Sequence, residues 1–124
     1  MMDSNKSTDY IDVSQSLLKE LSSLYMSEKY SDFVFIVENE RIFAHKFILC
    51  LRCDYFRLMF SSGLREAIHN EVEVKETPIN AFKHVLYFMY SGRICLKNKK
   101  IEDIIDILFL GKCLADLSVP CSIV

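Results

Sequence analysis

Cys50-Leu51-Arg52-Cys53 is the stretch of this chain that comes closest to reactive chemistry. Two thiols at C-x-x-C spacing can work as a redox dithiol or supply half of a zinc site. The redox role needs a βαβ setting, and the zinc role needs a second ligand pair. The only histidines are His45, His69 and His84, and no second C-x-x-C occurs. The pair therefore reads as two buried helix thiols. Cys53 as a nucleophile is the last option, and ordinary reactivity toward an alkylating reagent removes it. His45 stands alone between two apolar runs, where a histidine is more often a satisfied core residue than a base. Gly63, Gly92 and Gly111 are far apart, which leaves no glycine-rich phosphate cradle. No serine sits in a nucleophile elbow. No enzymatic activity, metal or cofactor is expected.

Two other groups carry more. Asp32 heads an apolar run, and Lys46 follows on the next helix. A strand–turn–strand hairpin brings them together, either as a cap or surface ion pair of little worth or as a partly desolvated pair that sets geometry. Leu64-Arg65-Glu66 follows a compact apolar segment and precedes an alternating one, in a position expected to be exposed.

The elements that position these residues follow from periodicity. Leu17, Leu21, Leu24 and Tyr25 recur at helical spacing within Ile11 to Lys29, and Ser14 is a candidate N-cap. Phe33 to Val37 predicts a strand buried on both sides, Glu38-Asn39-Glu40 a turn with Asn39 at positive φ, and Arg41 to Ala44 a returning strand. His45 to Arg52 predicts a short helix. Asp54 caps the next, Tyr55 to Ser61, which Gly63 ends. Glu71 to Glu76 alternates as a strand with one wet face. Thr77-Pro78 starts a helix that Gly92 stops, and Ile101 to Gly111 is another. A last helix near Ser118-Val119-Pro120 has little room before Val124.

The first helix has a wide apolar stripe outside the body of the domain, and such a stripe must be covered. Hydrophobic residues make up 51% of the chain, enough for a core and for apolar surface buried between subunits. A net charge of −2 gives no electrostatic case for nucleic acid. The run Lys97-Asn98-Lys99-Lys100 reads as a solvated loop before a helix, with a phosphate or membrane patch as the alternative. Five cysteines, an odd count, suggest reduced thiols in the cytosol or nucleus. The N-terminus lacks an apolar signal core, and no apolar run reaches membrane-spanning length. A soluble intracellular chain is expected, with a flexible tail over residues 1–10 and one domain over 11–124.

Taken together, the motifs Ser31-Asp32-Phe33-Val34, Phe43-Ala44-His45-Lys46, Tyr55-Phe56, Met59-Phe60, Val72-x-Val74 and Leu86-x-x-x-Tyr90-Ser91-Gly92 resemble the BTB (POZ) domain over about Leu17 to Asp116. Within the family the chain is most similar to the BTB-BACK type, which includes the kelch-like proteins. The resemblance implies an α+β fold, a helical cluster capped by a small sheet of short strands, with an N-terminal dimerisation helix. It implies a homodimer with Leu17, Leu18, Leu21, Leu24 and Tyr25 at the interface and Asp32 and Lys46 in a charged pocket. Lys46 stands where the family often has arginine, so a bidentate pair is lost and the charge kept. It also implies binding of the cullin-3 N-terminal domain as a ubiquitin-ligase adaptor. Leu64, Arg65 and Glu66 match the family's apolar-x-Glu motif, with Phe60 beside it and a second contact near Leu114 and Asp116. The helical extension that strong cullin binders carry is absent or clipped. Alternatives are a repressor dimer that recruits corepressor peptides, a pairing-only competitor of longer BTB proteins, and a channel-type tetramerisation domain.

Overall fold

A computed structural model of the chain describes residues 9–62 and 69–113. Its core is a small sheet built around β1 (Phe33–Val37), which pairs antiparallel with β2 (Glu40–Ala44) and parallel with β3 (Glu71–Val74). Central placement explains the apolar composition of β1. Phe33, Phe35 and Val37 are fully buried, whereas Val34 and Ile36 are only half-covered on the opposite face. The strand is thus buried on one face rather than both, because the helices gather on that side. β1 and β2 are joined by Glu38 and Asn39, both at positive φ. That is the two-residue turn whose twist matches a hairpin, and it places Glu40 in the second strand.

Helix α1 (Ser14–Ser22) begins one residue earlier than a Ser14 cap requires, with Val13 at the cap position. The Asp12 carboxylate accepts the Ser14 N–H at 2.9 Å instead, and this bond holds its carboxyl below the usual range. The helix stops at Ser22, so Leu24 and Tyr25 lie in the turns that follow and not on the helix. α2 (Lys46–Arg52) and α3 (Asp54–Ser61) are split at Cys53, whose extended backbone ends one helix and starts the other. Asp54 is the first residue of α3 rather than its cap, and pairs with Arg57 one turn on. The predicted stop at Gly63 lies outside the described residues. So does the predicted last helix near Ser118.

β3 ends at Val74, ahead of Glu76, which takes positive φ. Helix α4 (Ile79–Ser91) is the central helix, with Ala81, Phe82, Val85, Leu86, Phe88, Met89 and Tyr90 buried. Pro78 is extended and precedes the helix rather than opening it, and Thr77 Oγ donates to the Lys75 carbonyl. The end of α4 is as expected: Gly92 at φ 75° donates to the Phe88 carbonyl at 2.7 Å. α5 (Ile101–Cys113) packs against α4 and buries Ile107. The Phe35 ring binds the layers together, edge-on to Phe82 at 4.9 Å and tilted on Phe56 at 5.6 Å. Each fully buried side chain of this kind contributes about 1.5–3 kcal/mol. Among the described residues no helix is long and apolar enough to cross a membrane.

Candidate functional site

The β1–β2 turn positions α4. Glu38 accepts the Ile79 N–H at 2.9 Å, and Glu40 pairs with Lys83 one turn further along. The cap therefore comes from a remote carboxylate at the positive end of the helix dipole, which makes a local cap at Thr77 unnecessary.

His45 is fully buried at the start of α2. Its Nε2 lies 2.7 Å from the Lys29 carbonyl oxygen, and its Nδ1 lies 2.7 Å from the Tyr90 hydroxyl. A carbonyl only accepts, so Nε2 carries the proton, and in the neutral ring Nδ1 accepts from Tyr90. Burial raises the Tyr90 phenol well above its ordinary value. Both ring nitrogens are used to tie the α1–β1 connection to α4. Among the described residues every buried polar side-chain atom has a partner. No group of three His, Cys, Asp or Glu could hold a metal there. Cys50 is half-buried and burial raises its thiol pKa, the reverse of an activated nucleophile.

Asp32 and Lys46 do come together, as a cap. Asp32 Oδ1 accepts the Lys46 backbone N–H at 2.8 Å. The Lys46 ammonium turns away, donates to the Asn70 side-chain oxygen and sits 5.4 Å over the Phe60 ring. Within one chain the two residues meet as a main-chain cap. Phe60 itself faces inward as much as outward: it is half-buried, edge-on to Phe33 at 4.9 Å.

The residues assigned to a pairing helix divide in two. Leu17 and Leu18 are 55% and 57% exposed, and α1 has no buried residue at all. Leu24 and Tyr25 pack on the core, with the Tyr25 hydroxyl donating to the Lys83 carbonyl at 3.0 Å and its ring edge-on to Tyr87. Leu21 is half-buried between the two sets. Leading into α1, Tyr10, Ile11 and Val13 are exposed as well. Leu64, Arg65, Glu66, Leu114 and Asp116 lie outside the described residues.

A second apolar face was not singled out from the sequence. Phe47, Leu51, Tyr55 and Leu58 all point outward from α2 and α3. Phe47 and Leu51 are one helical turn apart, as are Tyr55 and Leu58, and that spacing is the signal that could have revealed them. Among the described residues the arrangement offers apolar surfaces to other proteins, on α1, on α2 and α3, and on α5 through Ile101, Ile105 and Phe109.

Known proteins agree with that reading. The BTB/POZ domain family model matches residues 21–115. BTB/POZ domain-containing protein 9 from Drosophila melanogaster is 38% identical over 101 residues, covering 82% of this chain and 14% of that protein. Its Homo sapiens counterpart is 37% identical over 102 residues, covering 82% of this chain and 17% of the relative. Kelch-like protein 26 from Danio rerio is 35% identical, covering 74% of this chain and 15% of the relative. The chain thus spans about a sixth of these relatives or less. Among solved structures, the BTB domain of zebrafish PATZ1 superposes with a TM-score of 0.66 at 25% identity, covering 85% of each chain. The BTB domain of human gigaxonin gives 0.66 at 22% identity, covering 88% of this chain and 87% of that one, and speaks to the fold alone.

Proposed function

This chain belongs to the BTB/POZ domain family of protein-interaction modules, and from that premise we propose that it pairs with a second copy through α1 and acts as a cullin-3 adaptor in a ubiquitin-ligase complex. The observation that carries the pairing is α1 itself, a helix with no buried residue whose Leu17 and Leu18 stand in water. A second copy is the occupant such a stripe fits, because a two-fold contact lets one self-complementary patch serve both chains. Covering a half-exposed leucine contributes about 1 kcal/mol, and several in one patch make a stable pair. Tyr10, Ile11 and Val13 extend the same apolar surface along the chain.

Support for the cullin role comes from the kelch-like relatives and from Leu64-Arg65-Glu66, which matches the apolar-x-Glu pattern after the third helix. In this reading Leu64 fills an apolar pocket on a cullin helix and Glu66 accepts hydrogen bonds beside it. Phe60, Arg65, Leu114 and Asp116 border that contact. Pairing with other BTB proteins uses the same α1 surface. The cytosol or nucleus is the compartment this role requires.

Light scattering on the purified chain fixes the oligomer mass, and titration calorimetry with the cullin-3 N-terminal domain then tests the adaptor. Heat of binding that falls in Glu66→Ala, with the dimer mass kept, supports the assignment. Binding that Glu66→Ala leaves unchanged removes Leu64-Arg65-Glu66 as the site. A dimer that gives no heat, also in a longer form that continues beyond Val124, makes the chain a pairing-only module.

A further inference from the structure

The lysine run before α5 has a structural setting that the interaction faces do not use. A cleft of about 230 Å³ opens between the first turns of α4 and α5. Lys99 and Lys100 form one side of it, and Asn80 and His84 of α4 form the other. Asn98 adds a second amide, and the buried Ile107 is an apolar floor. Among the described residues neither lysine takes part in an ion pair, whereas Arg41, Arg57 and Lys83 each have a carboxylate partner. One carboxylate, Asp103, shares the cleft, which leaves two ammonium groups against one acid.

We propose that this cleft binds a phosphate monoester group, free or carried on a side chain. The two ammonium groups supply charge, and the two amides and the imidazole supply directed donors, which is the mixture a compact dianion needs. A neutral ligand would leave both lysines uncompensated, and a cation would meet them head-on. The apolar floor gives the carbon attached to the ester oxygen a place to rest.

His84 provides the readout. Burial holds its proton affinity below the ordinary value, Lys99 lowers it further, and Asp103 pulls the other way. Lys100 and the two asparagines complete its surroundings in the cleft. A dianion placed between His84 and the lysines offsets their field, so the imidazolium form becomes easier to reach.

The test is NMR titration of the His84 ring in the whole chain, with inorganic phosphate against chloride at equal ionic strength, then with phosphoserine against serine. Phosphate is expected to raise the pH at which His84 titrates. Lys100→Met should weaken binding about tenfold, the worth of one charged hydrogen bond. Lys97→Met removes the same charge outside the cleft and should change binding less than about twofold, while Asp103→Asn should tighten it. Lys97 and Lys100 are exposed and Asp103 is half-buried, so thermal unfolding of each variant is measured alongside. Tighter binding of phosphoserine than of inorganic phosphate supports an ester seated on the apolar floor, and the reverse order overturns the assignment to a phosphate monoester. A His84 titration that phosphate leaves in place overturns the proposal, and so does an equal loss in Lys97→Met and Lys100→Met.

Discussion

Asp32 and Lys46 meet through the main chain: the carboxylate of one accepts the backbone N–H of the other at 2.8 Å. The Lys46 ammonium is directed at Asn70 instead. The two residues therefore differ in what they contribute to the fold, and substitution separates them. Asp32→Ala should cost about 1 kcal/mol as a lost cap. Lys46→Met, which keeps a side chain over Phe60, should stay within about 0.5 kcal/mol. Equal losses in urea denaturation would mean that charge, and not capping, joins them.

A similar contrast holds at the start of α4. Glu38→Ala should destabilise the domain by about 1 kcal/mol, because the Ile79 N–H loses its carboxylate. Thr77→Ala, at the position where a local cap was expected, should change stability by less than about 0.5 kcal/mol. Thermal unfolding of the two variants side by side decides which residue does the capping.

Tyr90 links stability to alkaline pH. Burial raises its phenol above the ordinary 10.0, so the unfolded chain releases this proton at a lower pH than the folded one. The stabilisation is complete below pH 10 and is lost as pH rises beyond it. Tyr25 is shifted the same way by burial and adds to the slope. Tyr90→Phe should cost about 1–3 kcal/mol at neutral pH, since His45 Nδ1 is left unsatisfied, and should flatten the alkaline fall. Stability measured at pH values on both sides of 10 checks both statements.

The split within the pairing residues is testable as well. Leu17→Glu with Leu18→Glu should turn the proposed dimer into a monomer in light scattering, with the stability of the monomer changed by less than about 0.5 kcal/mol. Leu24→Ala acts on the fold itself and should cost about 1 kcal/mol, because that side chain packs on the core. A dimer that survives the double substitution locates the contact elsewhere.

Most of the element order was legible from the sequence, and the errors share a cause. Hydrophobic period identified β1, the hairpin and α4, and glycine at positive φ marked the end of α4. What failed were the helix starts. Ser14, Asp54 and Thr77 all carry capping side chains, yet the donors at two of these starts are met by Asp12 and by the distant Glu38. Local chemistry lists the residues able to cap, while tertiary structure selects among them. The strand β1 misled in a related way, since its composition reports placement at the centre of a sheet and says nothing of which face is wet. For Asp32 and Lys46 the sequence placed the pair correctly and left open how it meets. The outward turn of Phe47, Leu51, Tyr55 and Leu58 was hidden because a periodic stripe does not say whether the domain's own core or another molecule covers it.

The parallel pairing of β1 with β3 has a bearing on synthesis. β1 finds its antiparallel neighbour within a few residues, but its other edge waits for a strand that begins only at Glu71. At about 5–20 residues per second the ribosome needs several seconds to deliver it, together with α2 and α3. During that interval the nascent chain carries Phe-Val-Phe-Ile-Val with one row of backbone groups unpaired. Folding in the cell is thus most vulnerable between the emergence of the hairpin and that of β3. A chaperone that recognises short extended apolar segments has its natural target there.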